Sequence, residues 1–132
     1  MYEEDFIMRQ IREITAVIAK VVFGKKADSM TLMLHQRERQ KVEYLADKVK
    51  DGEIQDAVEE LDRLADNNTK ENLMIGLEFY AQLSDMDEEY FINSGYSFGQ
   101  VRDDFERFTK KFGMEQMTEL YFGKDDEENT GE

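Results

Sequence analysis

The chain has 132 residues, 17 basic and 31 acidic side chains, a formal charge of −14 and 40% hydrophobic residues. That length and apolar content suit one domain with one core, and fall short of two. With no Cys, Pro or Trp, the composition excludes a disulfide scaffold, a thiolate metal centre, a cysteine nucleophile and any collagen-like or proline-rich segment.

No apolar run reaches the roughly 20 residues a membrane span needs. Residues 1–10 are acidic and contain Arg9, unlike the basic start of a signal peptide. The expectation is a soluble cytoplasmic protein. Its charge is unevenly placed. Residues 1–50 carry ten basic and eight acidic side chains, a net of +2, whereas residues 51–132 carry seven and 23, a net of −16. So acidic a chain is repelled by phosphate backbones and anionic lipid, which argues against nucleic-acid or membrane partners. The same charge admits a nucleic-acid mimic that occupies a basic protein groove; a solvated acidic face is the plainer reading.

In chain order, the first segment, from about Glu3 to Phe23, repeats apolar residues at Ile7, Ile11, Ile14, Ile18 and Val21. Those are helical steps, and Gly24 follows as a natural stop. The apolar arc also takes in Phe6, Val17, Val22 and Phe23. Such width suits core burial, and an excess on a terminal helix also suits a homodimer interface or a membrane-surface contact aided by Lys20, Lys25 and Lys26. A second helix is expected to start after Asp28 or Ser29 and run to about Lys50, burying Leu34, Val42, Leu45 and Val49. Asp51-Gly52 turns the chain, and a third helix runs from Glu53 to Ala65 through Ile54, Ala57, Val58, Leu61 and Leu64.

A polar turn at residues 66–69 lets Asn68 or Thr69 cap a fourth helix carrying Leu73, Leu77, Tyr80 and Leu83. Ser84, three residues before Asp87, is placed to cap a short helix ending before Gly95. Ser97 caps another, with Phe98, Val101, Phe105, Phe108 and Phe112 on one stripe, closed by Gly113. That stripe reads as core. Met114 to Phe122 forms a last short helix. No segment alternates with period two. The expected fold is all-α: six or seven helices in antiparallel hairpins, one domain over residues 1–123, and a disordered acidic tail at 124–132.

The run from Asp51 to Leu61 resembles the turn and second helix of a tetratricopeptide repeat, where a Gly-acidic pair turns the chain and a small Ala, here Ala57, lets two helices approach closely. The preceding helix departs from that pattern, with Lys41 and Lys48 at its usual aromatic positions, and no second copy follows at about 34 residues. The opening Asp5-Phe6-Ile7-Met8-Arg9-Gln10-Ile11, with Phe23-Gly24-Lys25 at the helix end, is similar to a family of short helical proteins from Gram-positive bacteria. The resemblance implies an all-helical, repeat-like fold and a bacterial cytoplasmic origin; it implies no activity.

Catalytic constellations are sparse. His35 is the single histidine, so no His dyad, triad or multi-His metal site is available. Leu32 stands three residues before it, which removes the Glu-x-x-His pair of di-iron bundles. Asp85, Asp87, Glu88 and Glu89 lack the glycine of an EF-hand turn. Glu59, Glu60 and Asp62 place carboxylates on one helix side, and a small all-α metal-dependent hydrolase is the alternative they support. No phosphate-cradling glycine loop occurs. No catalytic residue, metal ligand or cofactor is therefore assigned.

The most suggestive feature is a stripe of Arg37, Lys41, Tyr44 and Lys48 at steps of four, three and four along the second helix. It lies beside the buried stripe, in the position that lines the concave face of tetratricopeptide hairpins. The expectation is a non-enzymatic interaction module that grips a protein or acidic peptide segment through these four residues. The alternative is that they neutralise the chain's own acidic half.

Overall fold

The computed structural model describes residues 2–24 and 35–122. Among these, seven helices and no strand are present: α1 (Tyr2–Phe23), α2 (Gln36–Lys50), α3 (Ile54–Ala65), α4 (Lys70–Ser84), α5 (Glu88–Ser94), α6 (Phe98–Lys110) and α7 (Glu115–Tyr121). The all-α expectation holds.

The connections follow from local chemistry. Between α2 and α3 the chain reverses at Gly52, whose φ of +88° is costly for any residue with a Cβ. Thr69 Oγ1 accepts from the Asn72 N–H at 3.1 Å, which caps α4. Ser97 and Gln100 form a reciprocal capping box at the start of α6, with bonds of 2.8 and 3.0 Å.

Two boundaries differ from expectation. His35 has an extended backbone (φ −75°, ψ 167°) and is the N-cap of α2, so no helix runs unbroken from Ser29 to Lys50. Asp28, Ser29 and Leu34, like Lys25, Lys26 and the tail at 124–132, lie outside the described residues. Ser84 does not open α5; it ends α4, donating its hydroxyl to Ala81 O, and Asp87 takes the N-cap position. A Ser hydroxyl bonded back into the preceding turn continues that helix instead of starting the next.

Helix α4 is central, packing against α1, α2 and α3, while α1 also covers α6 and α7. The core runs as one cluster from Met8 to Phe122. Its aromatic part joins Phe79, Tyr80, Phe105 and Phe108 by ring contacts of 5.1 to 5.8 Å. Phe108 lies so close to Gly76 that a Cβ there would enter the ring. On α1 the buried arc is Met8, Ile11, Ile14, Ile18 and Ala19, with Val22 half-buried beside it. Val21, expected in that arc, is instead 64% exposed. At 3.6 residues per turn a stripe through residues 8, 11, 15 and 18 continues to 22, not 21.

Candidate functional site

Three of the four stripe residues, Arg37, Lys41 and Tyr44, line a groove of about 760 Å³ where α2, α3 and α4 meet. From α3 come Glu60 and Leu64, from the α3–α4 turn Asn67, and from α4 Glu71, Asn72 and Ile75. Asn72 Nδ2 donates to Leu64 O at 3.0 Å and to Asn67 O at 2.7 Å, so its amide fixes the groove's corner. Ile75 is buried and Leu64 half-buried, giving the groove an apolar floor. Tyr44 stands at its edge, 48% exposed.

The hairpin register decides which cations are committed internally. Lys41 Nζ donates to Glu60 at 2.6 Å and Lys48 Nζ to Glu53 at 3.4 Å. In each pair the two residues are equidistant from the reversal at Lys50 and Asp51, as antiparallel helices require. The same register sets Arg37 opposite Leu64, which offers no charge, and Arg37 is exposed with no ion-pair partner among the described residues. The Lys41 and Lys48 ammonium groups also sit 5.2 and 5.5 Å from the centre of the Tyr44 ring, steadying it by cation–π attraction. The Lys41 hydrogen bond holds the Glu60 carboxyl below its ordinary range against the opposing effect of partial burial. For Lys48, loss of solvent pulls its pKa down most strongly, but the Glu53 hydrogen bond together with the electrostatic pull of Tyr44, Glu53 and Asp56 outweighs it and raises it.

Lys48 thus lies beyond the groove, and two members of the stripe balance the chain's own carboxylates. A net count over the groove gives two cations, Arg37 and Lys41, against three carboxylates, Glu38, Glu60 and Glu71. Glu38 is partly engaged, accepting from the His35 N–H at 2.9 Å. The groove suits a segment of mixed charge with apolar side chains better than a purely acidic one.

The carboxylates proposed for metal chemistry are dispersed. Glu59 accepts from Gln55 at 3.2 Å, Glu60 from Lys41, and Asp62 from Arg107 Nε at 3.0 Å. No group of three or more His, Asp or Glu is placed to hold a metal ion among the described residues.

On the opposite side of α3 a second polar assembly forms, which the sequence did not announce. Arg107 donates to Asp62 and, at 2.8 Å, to Asp104, which is 6% exposed and also accepts from the Tyr96 hydroxyl. Lys111 Nζ ties Asp62 O and Asp66 together at 2.8 and 2.9 Å. Burial raises the Asp104 carboxyl above its ordinary range, opposed by the hydrogen bonds from Tyr96 and Arg107. Burial also raises the Tyr96 phenol, helped by the bond it donates to Asp104. Tyr80, fully buried, is raised by burial and by the nearby Asp104 and Asp62 charges. The one available signal was the i, i+3 spacing of Asp104 and Arg107; Asp62 and Tyr96 are brought in only by packing.

Among the described residues no helix is long and apolar enough to cross a membrane. No curated protein and no solved structure matches the chain. Residues 1–113 do match a family of unknown function, DUF6483, and the chain belongs to that family.

Proposed function

We propose that the chain is a non-enzymatic protein-interaction module whose α2–α3–α4 groove takes a peptide segment of a partner protein. One observation carries this reading: the groove joins an apolar floor, Leu64 and Ile75, to Arg37, a cation that the hairpin register leaves without an ion-pair partner among the described residues. A bound segment sets apolar side chains on the floor and against the Tyr44 ring, and a carboxylate on the Arg37 guanidinium. Lys41 contributes by holding Tyr44 and Glu60 in place. Contact between α2 and α3, with Ala57 fully buried, supports a hairpin of tetratricopeptide type, and a bacterial cytoplasmic setting goes with the resemblance of residues 5–25 to the Gram-positive family.

Peptide display on the immobilised chain tests the proposal. Selected peptides are expected to pair an acidic residue with apolar neighbours. They should lose binding to the Arg37→Glu/Lys41→Glu double variant and keep it on Lys48→Ala. Peptides that bind all three proteins equally, or no enrichment at all, overturn the groove as the site.

A further inference from the structure

The charges that line the α2–α3–α4 groove are not all engaged. Of the five, Lys41 and Glu60 hold each other at 2.6 Å, and Glu38 accepts from the His35 N–H at 2.9 Å as part of the α2 cap. Two are left, Arg37 and Glu71. Both are exposed, and neither has an ion pair or a hydrogen bond among the described residues. They are opposite in sign and stand on different helices, Arg37 in the first turn of α2 and Glu71 in the first turn of α4.

Their places around the apolar floor follow from contacts already described. Arg37 is level with Leu64 across the α2–α3 hairpin, by the register that pairs Lys41 with Glu60 and Lys48 with Glu53. The Leu64 carbonyl accepts from Asn72 Nδ2 at 3.0 Å, which ties it to the first turn of α4, where Glu71 precedes Asn72. Glu71 also lies one turn before the buried Ile75, and residues four apart share a helix face. The floor of Leu64 and Ile75 therefore has an unpaired cation on its α2 side and an unpaired carboxylate on its α4 side. A carboxylate at the start of α4 also complements the positive end of that helix. That role requires no counter-ion, and Glu71 still lines the groove.

We infer, on the reading of this groove as a peptide site, that Glu71 determines its specificity. The groove selects segments that carry an acidic side chain for Arg37 and a basic one for Glu71, on either side of an apolar residue. Packed helices lie about 8–10 Å apart, so the two charges of the ligand fall about three residues from each other in an extended chain. A purely acidic segment meets repulsion at Glu71, and a purely basic one meets it at Arg37.

An array of synthetic peptides tests this. Each has a central Leu, flanked by one Asp and one Lys in either order, by two Asp, by two Lys, or by Gly alone. On the wild-type chain the best Asp/Lys peptides should bind about threefold tighter than the two-Asp set, the scale of one exposed ion pair. Glu71→Gln should erase that advantage and Glu71→Asp should keep it. Glu71→Lys should invert it, favouring two Asp by about tenfold. Raising the salt should shrink these differences.

Peptides that lose binding on Arg37→Glu/Lys41→Glu yet ignore every Glu71 variant overturn this inference and leave the groove as the site. No binding by any peptide overturns the groove reading and this inference with it. A double-mutant cycle on melts of the free chain in which Arg37 and Glu71 are coupled shows that they neutralise each other, and overturns this inference alone.

Discussion

The two sides of α3 handle charge in opposite ways. Toward α2, Glu60 pairs with Lys41 at a groove rim where both side chains keep part of their solvent. Toward α6, Asp62 and the nearly buried Asp104 share one guanidinium, and Tyr96 closes the network. A rim pair contributes little to stability and leaves its neighbourhood open to a partner. A network built on a nearly buried carboxylate resists the loss of its partner, since that charge has little water to turn to. The same helix thus lines an open groove on one side and is locked to α6 on the other.

That contrast is easiest to break at Arg107. Arg107→Ala leaves Asp62 and Asp104 facing each other unneutralised, and should lower unfolding stability by about 2 kcal/mol, the guanidinium being half-exposed. Urea denaturation measures this, and a loss no larger than that at the groove rim would erase the distinction. The pH dependence sharpens it further. The folded pKa of Asp104 is raised, so the native state binds its proton more readily than the unfolded chain. The contribution of that carboxyl therefore grows as pH falls through its folded pKa and shrinks as pH rises.

Glu60, with a lowered folded pKa, has the opposite slope: its contribution is present above the ordinary glutamate pKa and is lost on acidification. Melts across the acidic range should show the wild type gaining on Asp104→Asn as pH falls, while losing its margin over Glu60→Gln. Parallel curves for both variants would contradict the assignment. The smallest effect is expected at Lys41→Ala, about 0.5 kcal/mol, since its partner and its ring contact are both partly solvated.

Much of the fold was legible because its signals are local. Gly52, Gly95 and Gly113 lie where helices stop and adopt positive φ, and Thr69 and Ser97 make the capping bonds their positions imply. Legibility failed where a residue has two local options. Ser84 can cap forward or bond backward, and only its side-chain bond to Ala81 O decides. Val21 follows Ile18 by as good a helical step as Val22 does, and only the full arc through Met8, Ile11 and Ile18, which packing of α1 fixes, carries on to Val22. The stripe of Arg37, Lys41, Tyr44 and Lys48 was readable as a helix face, yet which of its cations pair internally and which has no ion-pair partner among the described residues was not. That division needs the α2–α3 register, which centres the reversal on Lys50 and Asp51.

By itself the sequence determined the helices, their stops and the apolar faces they bury, because caps, glycine turns and periodicity act over a few residues. Tertiary structure alone decided that Leu64 and Ile75 floor a groove beside Arg37, and that Tyr96, Asp104, Arg107 and Asp62 meet. Those contacts join residues from different helices, and no local rule carries the distance and angle at which two helices pack.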